Sequence, residues 1–259
     1  MSDTAGQGLV GRTALVTGAS GGLGAAFADM LVSAGAAVAL HYHNNEQKAI
    51  ALAERFGGVG KRLCTVQGDL RTTDGPAAVC QHVEEGLGPI DILINNAGGW
   101  VEKPLLDTSV GEWDELMEAD VRGSFLTIIG CAAGMKSRGW GRIVNLSTVA
   151  ALSVATNEGA YGVAKAAVVM LTKTAAVELA EFGVTVNAIA PGWTLPYDSP
   201  HPPQPKDYPQ SARVPDHRPG HATEVAAIAR FLVSEEAGHI TGQTIAVDGG
   251  LSAVLASSS

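Results

Sequence analysis

The chain has 259 residues, 46% of them hydrophobic and 17% charged, too apolar for a disordered chain and long enough for a full-sized core. Lys plus Arg is 17 and Asp plus Glu is 26, so the formal charge is −9, the wrong sign for holding a nucleic-acid backbone or an anionic membrane. Three cysteines (Cys64, Cys80 and Cys131) without a CxxC pair point to neither a disulfide framework nor a zinc site. With no basic leader at the N-terminus and no apolar run of about 18 residues, the expectation is a soluble, cytoplasmic protein that uses neither nucleic acid nor membrane as a partner.

Seven β-type runs, at 13–17, 37–42, 62–67, 90–95, 141–147, 184–190 and 244–247, alternate with helical patterns. Most are almost continuously apolar, as strands are when a parallel sheet is covered on both faces. The helix after the first run carries Leu23, Phe27, Met30, Leu31 and Ala34 on one face and stops at Gly35. A longer one, over 161–182, carries Ala164, Val168, Leu171, Thr172, Ala175, Ala176 and Leu179 and stops at Gly183. This alternation predicts right-handed βαβ units in one doubly wound parallel α/β sheet of about seven strands, with helices on both faces.

Nine of the twelve prolines fall in 191–219, among them Pro200, Pro202, Pro203 and Pro205, so no ordinary helix is expected there. The helical pattern resumes at 223–233 and a last strand follows, so 193–219 reads as a lid-like insertion in a single domain spanning 1–259. The tail at 257–259 is expected to fray.

The first run leads into Thr17-Gly18-Ala19-Ser20-Gly21-Gly22-Leu23-Gly24 and then a helix. Such glycines turn the chain tightly and let an anion approach the free N–H groups of a helix N-terminus. The GxGxxG pattern is not met, because Phe27 stands where its third glycine belongs. Alone, the loop is an ordinary strand-to-helix turn; its place after the first strand points to a dinucleotide. The second strand ends in Tyr42-His43-Asn44-Asn45, where an NAD site has an acidic residue against the ribose. With no carboxylate to repel a 2′-phosphate, and with donors on His43, Asn44, Asn45 and Ser20, NADP(H) is favoured over NAD(H), although no arginine stands there to grip the phosphate.

Tyr161 and Lys165 lie four apart on a predicted helix and therefore share a face. A cation beside a phenol stabilises the phenolate and makes it a usable acid/base near neutrality. The pair stands in a longer series: the Thr17 to Gly24 loop, Asp69-Leu70, Asn95-Asn96-Ala97-Gly98, Thr148 thirteen residues before Tyr161, Tyr161-xxx-Lys165, Pro191-Gly192, and Val247-Asp248-Gly249-Gly250. From about Arg12 to Gly250 the chain resembles the short-chain dehydrogenase/reductase family, most nearly its 3-oxoacyl reductase-like members.

The resemblance implies a Rossmann-like fold, a nicotinamide cofactor and reduction of a carbonyl, or its reverse. Gly18, Gly22, Leu23 and Gly24 would hold the pyrophosphate, and the glycine loop and second-strand end read above add Ser20, Tyr42, His43 and Asn44 to the cofactor set. Asp69 and Leu70 would meet the adenine, and Asn96, Ala97 and Gly98 its ribose. Tyr161 would exchange the proton with the substrate oxygen; Lys165 would bind the nicotinamide ribose and depress the Tyr161 pKa; Pro191, Gly192 and Thr194 would flank the nicotinamide. A homotetramer or dimer is also implied.

Two positions depart from the family. Its catalytic serine is replaced by Thr148, with Ser147 as the alternative hydroxyl. Its asparagine, which helps hold a water chain to the lysine, is replaced by Asp120, whose charge would counter the pull of Lys165 on the phenol; otherwise Asp120 is a solvated helix residue paired with Arg122. Thr148 and Asp120 complete the candidate catalytic set with Tyr161 and Lys165. Trp100 and Trp193 either open a substrate pocket or pack. His201, His217 and His221 lack metal-site spacing, so no metal is expected. From 193 to 217, Lys206 and Arg213 face Asp198, Asp207 and Asp216, a poor landing surface for an acidic carrier protein, which favours a free small-molecule carbonyl. The competing readings are a cofactor-binding protein that has lost turnover, and lyase or isomerase chemistry on the same Tyr/Lys pair.

Overall fold

The computed structural model describes residues 8–201, 203, 208 and 212–254. Seven strands form one parallel sheet: β1 (Thr13–Val16), β2 (Ala37–Tyr42), β3 (Leu63–Gln67), β4 (Ile92–Asn95), β5 (Gly141–Leu146), β6 (Val184–Pro191) and, last in the chain, β9 (Thr244–Val247). Their spatial order is β3-β2-β1-β4-β5-β6-β9, and every pairing is parallel. Each expected run is found, with ends shifted by at most two residues. β7 (Thr194–Leu195) and β8 (Gly220–His221) pair separately, where the proline-rich segment leaves and rejoins the domain.

The apolar runs are buried on both faces because alternate residues serve different layers. Ala14 and Val16 join Phe27 and Leu31 of α1 (Gly22–Ser33) and Val225, Ala229 and Leu232 of α7 (Ala222–Leu232). Leu15, between them, joins the layer of α3 (Gly75–Leu87), α5 (Gly123–Arg138) and α6 (Gly159–Leu179). Burying each large aliphatic side chain contributes about 1.5–3 kcal/mol, so the two layers hold the sheet from both sides. α2 (Glu46–Arg55) follows β2, and α4 (Val110–Leu116) runs through a π-helical turn, Met117–Arg122, into α5.

Chain order runs outwards from β1 to β3 on one side and from β4 to β9 on the other, so a crevice opens between β1 and β4 at their C-terminal ends. Among the described residues of the proline-rich segment there is no α-helix, as its composition requires; Lys206 and Asp207 lie outside the described residues, as does the 257–259 tail. No helix of the described residues is long and apolar enough to cross a membrane.

Candidate active site

The crevice is built by the loops that leave β1, β2, β4, β5 and β6. Gly18 turns the chain at φ +60°, a conformation that a side chain would strain. The amide of Asn96, just past β4, donates to the carbonyls of Thr17 and Gly18, each at 3.0 Å, and the Thr17 hydroxyl accepts from the N–H groups of Asn96 and Ala97. Gly24 can pack on this loop only because it has no Cβ. At the start of α1, Gly21 is the N-cap and no side chain caps the helix. An uncapped N-terminus flanked by glycines leaves N–H groups for an anion, so Gly22, Leu23 and Gly24 fit a pyrophosphate.

His41, deep in β2, was not singled out by the sequence. Its Nδ1 accepts from Gly18 N at 3.1 Å and its Nε2 faces Gly68 O at 3.1 Å, tying the glycine loop to the end of β3. Burial pushes its pKa down to about 4, so the ring is neutral and one nitrogen remains an acceptor. Tyr42 is buried, and its hydroxyl donates to Glu46 at 3.2 Å, which leaves His43 and Asn44 as the open side chains of this turn. Asn45 caps α2 by accepting from Lys48 N. Lys48 and Arg55 share a groove with Ser20, Gly21 and Gly22, so cations do reach this corner, from α2 instead of the turn itself. They were missed because helix geometry, not adjacency in sequence, brings them there.

Asp69, beyond β3, is gripped by Arg71 at 2.9 and 2.8 Å, and these hydrogen bonds hold its carboxyl well below the usual carboxylate range. His43 Nε2 lies 3.6 Å from it. Leu70 is buried and packs near Gly123 of α5.

At the end of β5 the two candidate hydroxyls separate. Ser147 is buried and donates to the Lys165 carbonyl at 3.1 Å, so it holds α6. Thr148 is half-buried, its hydroxyl accepts from Ala150 N at 3.3 Å, and it lies on the side of the Tyr161 phenol, whose pKa it lowers. Gly162 permits this approach, since a Cβ there would stand 2.8 Å from the Ala150 carbonyl in the Thr148 loop. α6 is also fixed from below by a buried polar chain: Thr127 donates to Asn95, Asn95 to Asn145, and Asn145 to Thr172, at 2.7–2.9 Å. Thr172 thus serves as a polar link within a face that reads as apolar in the sequence.

Asp120 sits in the π-helical turn, is 1% exposed, and places Oδ1 2.8 Å from Lys165 Nζ. It is no solvated helix residue, and Arg122 reaches Glu118 instead. Lys165 Nζ also donates to Leu146 O at 3.0 Å. Gly98 has room for hydrogen alone, because a Cβ would overlap Asp120 Oδ1 and approach Lys165 Nζ. Burial pushes the Asp120 carboxyl up, against the opposing pull of Lys165. The phenol differs from expectation: burial, then the charges of Asp120 and Glu158, raise the Tyr161 pKa, and only Thr148 lowers it. Asp120 stands between Lys165 and the effect expected of it.

Gly192 packs closely on Asp248, a Cβ there standing 2.8 Å from that residue's Cβ, and the Thr194 hydroxyl donates to Gly192 O at 3.0 Å. Trp193 stacks edge-on against Tyr208 and lines a cleft of about 560 Å³ with Val149 and Ala150, the two residues after Thr148. Trp100 is 62% exposed and lies outside that cleft. Pro196 packs on Gly22, and Tyr197 N donates to Gly22 O at 3.1 Å, so the segment after β7 covers the glycine loop.

Residues 18–252 match the family model described as Enoyl-(Acyl carrier protein) reductase. The 3-oxoacyl-[acyl-carrier-protein] reductase FabG of Staphylococcus aureus is 35% identical over 240 residues, covering 93% of this chain and 98% of that one. A solved short chain dehydrogenase/reductase family protein is 34% identical with a TM-score of 0.85, covering 96% of this chain and 100% of its own. A gluconate 5-dehydrogenase from Burkholderia cenocepacia J2315, solved with NADP and tartrate, is 32% identical with a TM-score of 0.85, covering 95% and 97%.

Proposed function

The chain belongs to the short-chain dehydrogenase/reductase family, and on that footing we propose that it reduces a small-molecule ketone to a secondary alcohol with NADPH, or runs the reverse. The observation that carries this reading is the grouping of Tyr161, Thr148 and Lys165, with Lys165 Nζ 5.8 Å from the centre of the Tyr161 ring, at the strand ends where the glycine loop opens. When bound, the nicotinamide supplies the hydride that the carbonyl carbon accepts. Tyr161 donates its phenolic proton to the carbonyl oxygen, and Thr148 hydrogen-bonds that oxygen as charge develops on it. A raised phenol pKa suits this direction, because Tyr161 stays protonated and ready as an acid. Lys165, held by Asp120 and the Leu146 carbonyl, would meet the nicotinamide ribose. Gly22, Leu23 and Gly24 would hold the pyrophosphate, and Pro191, Gly192 and Thr194 the nicotinamide side.

The preference for NADPH is supported by Ser20, His43, Asn44 and Lys48 around the β2 exit, with no carboxylate of that turn available to a 2′-hydroxyl. Three free cysteines suit a cytoplasmic setting. Exposed Phe125 and Ile129 on α5, with Val163, Met170 and Val177 on α6, suit burial against a second copy of the chain. The test is NADPH consumption by wild type and Tyr161→Phe over a panel of ketones, β-ketoesters and quinones. The phenylalanine variant should lose at least about a hundredfold in rate while still binding NADPH. The pairing of Lys165 with Asp120 favours one second reading, a protein that binds cofactor without redox turnover; binding without consumption on any carbonyl would select it.

A further inference from the structure

The cleft beside Thr148 is walled mainly by apolar groups, among them Val149, Ala150, Val154 and Leu251, with Trp193 on one side. Its single charged lining residue is Arg213. Among the described residues the Arg213 guanidinium has no ion-pair partner, whereas its neighbour Arg218 is bound to Glu224 at 2.7 and 2.8 Å and to Asp216 at 3.4 Å.

The turn that carries Arg213 is anchored. Val214 is 5% exposed, His217 N donates to Val214 O at 2.8 Å, and Asp216 N donates to Gly249 O at 3.3 Å. Gly249, at φ +61°, has no room for a side chain, because Asp216 and Val214 press against it. Arg213 is therefore presented from a fixed turn packed on the end of β9.

We propose that the substrate carries a carboxylate that Arg213 binds, making it an oxo acid or, in reverse, a hydroxy acid. This rests on the reductase reading for where the carbonyl lies, next to Thr148 and Tyr161. An arginine offers a planar fork of N–H donors that matches a carboxylate and is always charged. In a chain of net charge −9 this cation selects an anion by position, since among the described residues no carboxylate lines the cleft to offer it a counter-charge. A volume of about 560 Å³ suits a small molecule, and a mainly apolar lining that includes Val149 and Ala150, next to Thr148 in the chain, suits the carbon skeleton of such an acid.

The experiment pairs acetoacetate with its methyl ester, which keeps the carbonyl and removes the charge. Binding to the NADPH-loaded protein is measured by calorimetry with the nonreactive analogues acetate and methyl acetate, and turnover of acetoacetate and its ester is followed by NADPH absorbance. Wild type should favour the acid over the ester at least tenfold in kcat/KM and should bind acetate over methyl acetate. Arg213→Gln should abolish both preferences by raising KM for the acid, leaving kcat and ester turnover within about threefold. Arg213→Lys should recover part of the preference. Equal handling of acid and ester by wild type, or equal losses on both in Arg213→Gln, overturns the proposal, as does absence of binding and turnover for both acids. Ester turnover that still depends on Tyr161 would then leave the reductase reading standing. Conversely, Arg213-dependent acetate binding with no NADPH consumption on any carbonyl would sink the reductase reading and keep the carboxylate site.

Discussion

Replacing Asp120 by Asn tests the electrostatics of the site most directly. In the wild type Asp120 Oδ1 stands 2.8 Å from Lys165 Nζ, which itself lies 5.8 Å from the centre of the Tyr161 ring. A unit charge at that separation is worth about 3 kcal/mol at an effective dielectric of about 20. At about 1.4 kcal/mol per pKa unit this is a ceiling of about two units on the phenol. Asp120 cancels much of it and adds its own repulsion of the phenolate, one of the causes that raise the Tyr161 pKa. Asparagine keeps an acceptor for Lys165 but not the charge, so the Tyr161 pKa should fall by about one to two units. Carbonyl reduction needs the protonated phenol, so its rate falls above that pKa; alcohol oxidation needs the phenolate, so its rate falls below it. In Asp120→Asn both limbs should move to lower pH by that amount, and oxidation near neutrality should gain about tenfold or more. The assay is initial rates in both directions from pH 6 to 11 on a neutral ketone and its alcohol, with thermal melts to confirm folding. Limbs that stay within about 0.3 unit, or move upwards, refute the electrostatic reasoning. Complete loss of turnover in a folded, cofactor-binding variant would show that the carboxylate has a role of its own.

Thr148→Val keeps the side-chain shape and removes the hydroxyl, and should cost about a hundredfold in kcat for ketone reduction; Ser147→Ala should leave kcat within about threefold but lower unfolding stability by about 1 kcal/mol, because it releases the Lys165 carbonyl. If urea titration and kinetics assign these effects the other way round, Ser147 is the catalytic hydroxyl. Lys48→Ala should raise KM for NADPH about five- to tenfold and leave NADH almost unaffected, with the difference shrinking at high salt; equal effects on the two cofactors would remove Lys48 from the phosphate corner.

Continuous apolar runs and their spacing were enough to read a parallel sheet covered on both faces. That pattern is local: a strand buried on both sides needs apolar residues at every position, and Leu15 and Val16 show it whichever layer each one meets. The glycine loop, the Tyr161–Lys165 spacing and the proline-rich break could be read for the same reason, since each is a constraint on neighbours along the chain. Thr148 and Ser147 could not be told apart in this way. They are adjacent and carry equivalent hydroxyls, and only the docking of α6 turns Ser147 to a backbone carbonyl and leaves Thr148 on the side of the phenol.

The same holds for Asp120 and Lys165, 45 positions apart and paired because Gly98 leaves no side chain between the π-helical turn and α6. His41, a polar residue in an apolar strand, was passed over in the sequence; its partners Gly18 and Gly68 are joined to it only when β1, β2 and β3 lie side by side. Thus the sequence by itself determined the sheet, the layers and the residue types of the chemistry. The tertiary structure decided which charge reaches the phenol, which hydroxyl lies on its side and which cation lines the cleft, because charge interactions act across space and depend on burial, and neither distance nor burial is written in the order of the residues.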